Sequence, residues 1–377
     1  MMFGSYTIVP QRNLCLTDIA LQFTRGIDDI IQRYIFPVEF PIGVIGNCII
    51  LLVLLSKENR TTPCLLLSAM AFSDIAYLFT LLPWWLASYG IFYRNRTFRL
   101  YFYIARMNVT AIANLFSAAA NWLIMAVSLH RYTRTREPSR TRVRWPSWKS
   151  CCLIFAVFTL AAVVTSHNHI AYHVKIIPLC NRTQYAAVAH PVGPDRPMLA
   201  KWGSFMEFIV LLVMPIIVVS ILCYLLYTGR RNRDISMTSA NKLRTLDGET
   251  TPMIGEYGKE RRESNKTRNS EQESIARQEC LSEITVVAIG TCFVITHIPS
   301  AIHFVWKFVN NTAARNPLFT DIVSIANNMV VIEKIINFFL FYLMSRKFRK
   351  CANPFLGLTT RGHDALPAYD AGNHVLE

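Results

Sequence analysis

The 377-residue chain has no His and carboxylate set at metal-ligand spacing, no nucleophile elbow and no phosphate-binding loop. Those absences leave an enzymatic activity without support, and neither a cofactor nor a metal ion is expected. The N-terminal segment lacks the basic start, short apolar core and small-residue cleavage site of a signal peptide. The first long apolar segment is therefore expected to act as the insertion signal. No internal repeat is evident, which weighs against a transporter built from inverted repeats.

What the chain does have is apolar length. Hydrophobic residues make up 52% of it, and they gather in seven stretches near 35–55, 64–86, 101–129, 150–170, 205–227, 284–306 and 322–344. A hydrocarbon core of ~30 Å needs ~20 apolar residues at helical rise. Open backbone finds no water there, so such segments are helices or barrel strands. Barrel strands would be about half as long and strictly alternating. The expected fold class is an all-α membrane protein, a seven-transmembrane helix bundle.

The net charge of +15 follows from membrane topology and needs no nucleic acid partner. With the N-terminus outside, the inner segments 56–62, 131–149, 229–280 and 345–377 hold 25 Lys and Arg against 12 outside. That bias supports an outer N-terminus and an inner C-terminus. Three glycosylation sequons agree, at Asn95, Asn181 and Asn310, all on the expected outer side. Those at Asn59 and Asn265 fall inside and are read as chance. Of ten cysteines, only Cys15 and Cys180 face the oxidising side, and they are the expected disulfide. Cys351, just past the last stretch, is either a lipidation site or an ordinary thiol. The expected organisation is an outer tail at 1–34, a bundle at 35–344 and an inner helix and tail at 345–377. Within the bundle, loop 229–280 is too polar to fold alone. Basic residues interleaved with Phe355 and Leu356 suit a helix lying along the inner membrane surface.

Polar residues inside these stretches are costly in lipid, so each needs a partner or a task. In order they are Gly46-Asn47, Ala71-Phe72-Ser73-Asp74, His130-Arg131-Tyr132 with Pro138 following, Pro215, Phe293-Val294-Ile295-Thr296-His297-Ile298-Pro299, and Asn337-Phe338-Phe339-Leu340-Phe341. One per helix and in this order, the set resembles the rhodopsin-like (class A) G-protein-coupled receptors from 35 to 355. More narrowly it resembles the invertebrate FMRFamide and myosuppressin receptor group, with its nematode branch. The shared features are the 56–63 loop, the 293–299 run lacking the usual Trp before Pro299, and the Met344-Ser345-Arg346-Lys347-Phe348-Arg349 ending.

The resemblance implies a plasma-membrane receptor for an extracellular peptide, signalling through heterotrimeric G proteins and met by arrestin and receptor kinases. Arg131, Tyr132, Pro138, Arg346 and Lys347 would serve G-protein coupling. Asp74, Phe293, His297, Pro299, Glu333, Lys334, Asn337 and Phe341 would form the switch. For Phe293, core packing alone is the alternative. Glu207 would meet an Arg of the peptide, with Trp84, Trp85, Asn114, His303, Trp306 and Asp321 lining the same space or facing lipid. Asp74 stands where the family holds sodium. Residues three or four apart share a helix face, so Glu333 and Lys334 can approach Asn337. An ammonium beside Asp74 would replace the ion.

The chain also departs from the family. Twenty-five residues before Arg131, where the family has a disulfide cysteine, stands Arg106. Cys180 then loses its usual partner, and Cys15 takes that place. The acid that normally precedes Arg131 is His130, so the local ion pair restraining Arg131 is missing. The other readings are a receptor for a non-peptide or chemosensory ligand and, from a different class, a transporter or channel. The latter needs a continuous polar path, and the charged residues form one cluster at Asp74, Glu333 and Lys334. Ala113 and Val331, at the positions of the amine-binding Asp and the retinal Lys, disfavour an amine receptor and an opsin.

Overall fold

A computed structural model describes residues 15, 17–56, 62–136, 147–166, 172–181, 183–191, 196–247, 284–310 and 317–358. Seven helices in it are long and apolar enough to cross a membrane. They are α1 (Ile27–Leu55), α2 (Thr62–Ala87), α3 (Arg96–Arg136), α4 (Ser147–Thr165), α5 (Trp202–Arg233), α6 (Ile284–Val309) and α7 (Pro317–Met344). A short α8 (Arg346–Ala352) follows. A hairpin of β1 (Tyr172–Leu179) and β2 (Gln184–Pro191) joins α4 to α5, in register from Tyr172 opposite Pro191 to Leu179 opposite Gln184.

Several helices outrun the apolar stretches, because local hydrogen bonds hold turns that hydropathy does not register. Helix α1 begins at Ile27 rather than 35, its first turns carrying an Asp29–Arg33 ion pair at 2.9 Å. Acids in a first turn also suit the positive end of the helix dipole. Helix α3 starts at Arg96 because the Asn95 side chain caps it, Oδ1 accepting from the Phe98 N–H at 3.1 Å. The helix of α5 continues to Asp247, so residues 229–247 of the long inner loop are helical. The rest of that loop, from 248 to 280, lies outside the described residues, as do Asn59, Pro138, Asn265 and 359–377.

The hairpin was not expected from the sequence. Its turn places Cys180 and Asn181 at φ 51°, a left-handed conformation that Asn tolerates better than most residues. Asn181 thus sits exposed at a turn, and Asn95 and Asn310 are exposed on the same face as the N-terminus.

The core runs along the bundle axis through Met70, Leu123, Val219, Phe293 and Phe341. Helices α5 and α6 approach closely at Gly290, where an added Cβ would lie 2.5 Å from Cys223 Sγ and 2.9 Å from Val219 Cγ1. At the end of α7, Ser345 caps α8 through the Phe348 N–H at 3.2 Å, and Arg349 donates to the Tyr342 carbonyl at 3.1 Å. Phe348 and Ala352 then fold into the core, turning the chain along the face opposite the N-terminus.

Candidate ligand site and polar core

A cavity of about 270 Å³ lies among α2, α3, α5, α6 and α7, with Trp84, Arg106, Asn114, Glu207, His303 and Lys307 on its walls. Asn114 Nδ2 donates to Glu207 Oε1 at 3.1 Å. Glu207 also interacts electrostatically with Lys307 across the α5–α6 wall. The Arg106 guanidinium lies 5.7 Å from the centre of the Trp84 ring. Four expected pocket residues, Glu207, Trp84, Asn114 and His303, therefore share one space.

Three others do not line it. Trp85 is one residue on from Trp84, about 100° around the helix, and packs against Tyr89 and Phe36 with ring centres 5.7 and 6.4 Å apart. Trp306 meets Phe319 edge-on at 5.2 Å. Asp321 accepts the Ile27 N–H at 3.3 Å, at the corner of α1 and α7. Arg106, Lys307 and Asn121 line the cavity without having been singled out as ligand contacts. Their signal was the cost of a polar residue in an apolar run.

Below the cavity the charged core is fully buried. Lys334 Nζ lies 3.2 Å from Asp74 Oδ1 and 3.0 Å from Glu333 Oε2. Asn337 Nδ2 donates to Asp74 Oδ2 at 3.2 Å. Asn47 reaches across from α1 to the Lys334 carbonyl at 3.1 Å. His297 of α6 brings Nδ1 to 3.9 Å from Glu333 Oε2, so Glu333 faces both α6 and Lys334. Phe293 is fully buried, its ring 4.5 Å from that of His297. Pro299 lies two residues beyond His297 in the same helix; a prolyl ring there removes an internal hydrogen bond and bends the helix.

On the N-terminal face, Cys15 and Cys180 form a disulfide that ties the tail to the hairpin. Arg99, only 2% exposed, binds the same layer together. Its guanidinium donates to the carbonyls of Leu21 (2.6 Å), Tyr93 (3.2 Å) and Tyr185 (3.1 Å) and to the Tyr103 hydroxyl (2.8 Å). It also sits 4.8 Å from the centre of the Phe23 ring. Tail, first loop and hairpin thus meet on one side chain of α3. Nothing in the apolar pattern marked Arg99.

On the opposite face, Arg131 is half-buried and its carbonyl accepts from Thr135 Oγ1 at 3.0 Å. Tyr132 packs against the core and its hydroxyl accepts from Arg136 Nε at 3.3 Å. Phe341 is buried with its ring 5.7 Å from Phe348 of α8. Arg346 and Lys347 open α8. Cys351 is half-buried against the core, so its thiol is less open than a surface lipidation site would be.

Seven spans, an axial polar core and a cavity among the helices define a receptor bundle. Residues 46–356 match the family described as 7 transmembrane receptor (rhodopsin family), and the chain belongs to it. It is therefore a multi-pass membrane protein of a G-protein-coupled receptor class, not an enzyme. It is 26% identical over 361 residues to the putative G-protein coupled receptor F59B2.13 of Caenorhabditis elegans, covering 91% of this chain and 78% of that one. It is 22% identical over 339 residues to sex peptide receptor-related protein 2 of the same organism, covering 86% and 71%. Over 155 residues it is 29% identical to the B1 bradykinin receptor of Canis lupus familiaris, covering 40% and 41%.

Proposed function

We propose that the chain is a plasma-membrane receptor for short C-terminally amidated peptides of the FMRFamide and myosuppressin type, with its N-terminus extracellular. The observation that carries this reading is a cavity walled by an oriented acid, Glu207 held by Asn114, in a chain whose relatives include receptors named for sex peptide, bradykinin and angiotensin II. Glu207 accepts the guanidinium of a ligand Arg. On the cytoplasmic face, Arg131 and Tyr132, with Pro138, Arg346 and Lys347, receive the G protein, and arrestin and receptor kinases meet the same face. Asp74, Glu333, Lys334 and Asn337 form the inner switch with Phe293, His297, Pro299 and Phe341. Agonist shifts the bundle only by its differential affinity for the active arrangement.

The experiment is a screen of amidated peptides on cells expressing the full chain, with a G-protein readout. Glu207→Gln preserves shape and the Asn114 hydrogen bond but removes the charge. A charge-assisted hydrogen bond contributes about 1.5–3 kcal/mol. An Arg-bearing agonist should therefore lose at least about tenfold in potency, whereas unchanged potency would remove Glu207 from the ligand site. His130→Asp restores an acid beside Arg131 and should lower basal signalling at matched surface expression. Equal basal signalling would make His130 a bystander.

A further inference from the structure

Helix α5 carries Pro215, which lacks the N–H that the helical pattern would direct to the Leu211 carbonyl. The residues just before it, Ile209–Val213, open into a π turn, a feature often found at functional sites. Asn121 of α3 supplies a donor there, Nδ2 reaching the Leu211 carbonyl oxygen at 3.4 Å. That bond orients the amide. With the nitrogen committed to a carbonyl, the oxygen is left as a spare acceptor. Asn121 is 3% exposed, and its Oδ1 has no hydrogen-bond partner among the described residues. A buried acceptor of that kind can take a donor from outside the chain.

Asn121 and Leu211 both line the cavity, about four turns deeper along α3 than Arg106. His297 lines it too. Its Nδ1 lies 3.1 Å from the Phe293 carbonyl, so in the neutral imidazole Nδ1 carries the proton and Nε2 is an acceptor. The deep end of the cavity is therefore built to accept hydrogen bonds. Two acceptors, Asn121 Oδ1 and His297 Nε2, suit a group with two N–H donors, and a primary carboxamide offers two without a charge.

We infer that Asn121 is the acceptor of a subsite for an uncharged primary carboxamide at the base of the cavity. The inference rests on the amidated-peptide reading for its biological ligand, and its test does not need receptor activation. The probes are N-acetyl-phenylalaninamide, its N,N-dimethylamide and the free acid, each added to the purified full-length protein and followed by saturation-transfer NMR. The primary amide should bind at least about tenfold more tightly than the other two. Asn121→Leu, similar in size but without the acceptor, should abolish that preference. Equal binding of the three probes, no binding of any, or a preference that survives in Asn121→Leu each overturns the subsite. The absence of that preference in the unaltered protein overturns the subsite even if Asn121→Leu does not fold. A preserved amide preference alongside silence toward every amidated peptide would retain the subsite and reject the proposed ligand.

Discussion

Lys334→Met should leave the protein depleted from the cell surface and strongly destabilised in detergent. The ammonium of Lys334 is the cation between two carboxylates, 3.2 Å from Asp74 and 3.0 Å from Glu333, and all three side chains are inaccessible. Removing it leaves two acids facing each other in low dielectric. Breaking a buried ion pair by deleting one partner costs about 3–5 kcal/mol. Neutralising all three groups, as Lys334→Met with Asp74→Asn and Glu333→Gln, should recover most of the melting temperature, because the loss comes from uncompensated charge rather than lost volume. A Lys334→Met protein that melts like the native one would refute the ion-pair account. The same geometry predicts indifference to sodium. Exchanging sodium for choline at constant ionic strength should leave agonist affinity unchanged, since the tethered ammonium already stands beside Asp74.

Arg99→Ala should loosen the layer over the N-terminal face while sparing the bundle. Arg99 satisfies three backbone carbonyls from three separate segments, plus a Tyr hydroxyl. A buried acceptor left without its donor costs about 1–3 kcal/mol, and such losses do not add simply. Amide exchange in 17–27 and 172–191 should accelerate at least about thirtyfold, corresponding to about 2 kcal/mol. Protection in the core segment 118–128 should hold. Arg99→Lys should restore little, because one ammonium cannot span the positions that a planar guanidinium reaches. The Cys15–Cys180 disulfide holds the tail at one point only, so uniform protection in Arg99→Ala would show that this one tether suffices.

The seven spans were legible because lipid leaves the backbone no alternative to helix, and length alone then counts them. Their ends were not. Asn95 capping α3 and the Asp29–Arg33 pair in α1 act outside the apolar runs, and α5 carries its helix into a segment whose composition reads as linker. The disulfide followed from topology, since Cys15 and Cys180 alone fall on the N-terminal side. The proximity of Lys334 to Asp74 was approachable from helical spacing, because Lys334 lies three residues from Asn337 and Asn337 bonds Asp74. The cavity was only half legible. Trp85, Trp306 and Asp321 have the right composition and depth but the wrong helical phase, which a single sequence does not report. The hairpin and the role of Arg99 depend on contacts between distant segments that no local pattern encodes.

Motion of these helices, driven from the cavity, is proposed to reach a G protein at Arg131. Nucleotide exchange by a panel of purified Gα subunits, driven by the full-length receptor with and without Arg131→Ala at matched amounts of folded protein, tests it directly. The account predicts exchange on at least one Gα with the native receptor and its loss with Arg131→Ala. Exchange that persists undiminished on every responsive Gα would contradict it.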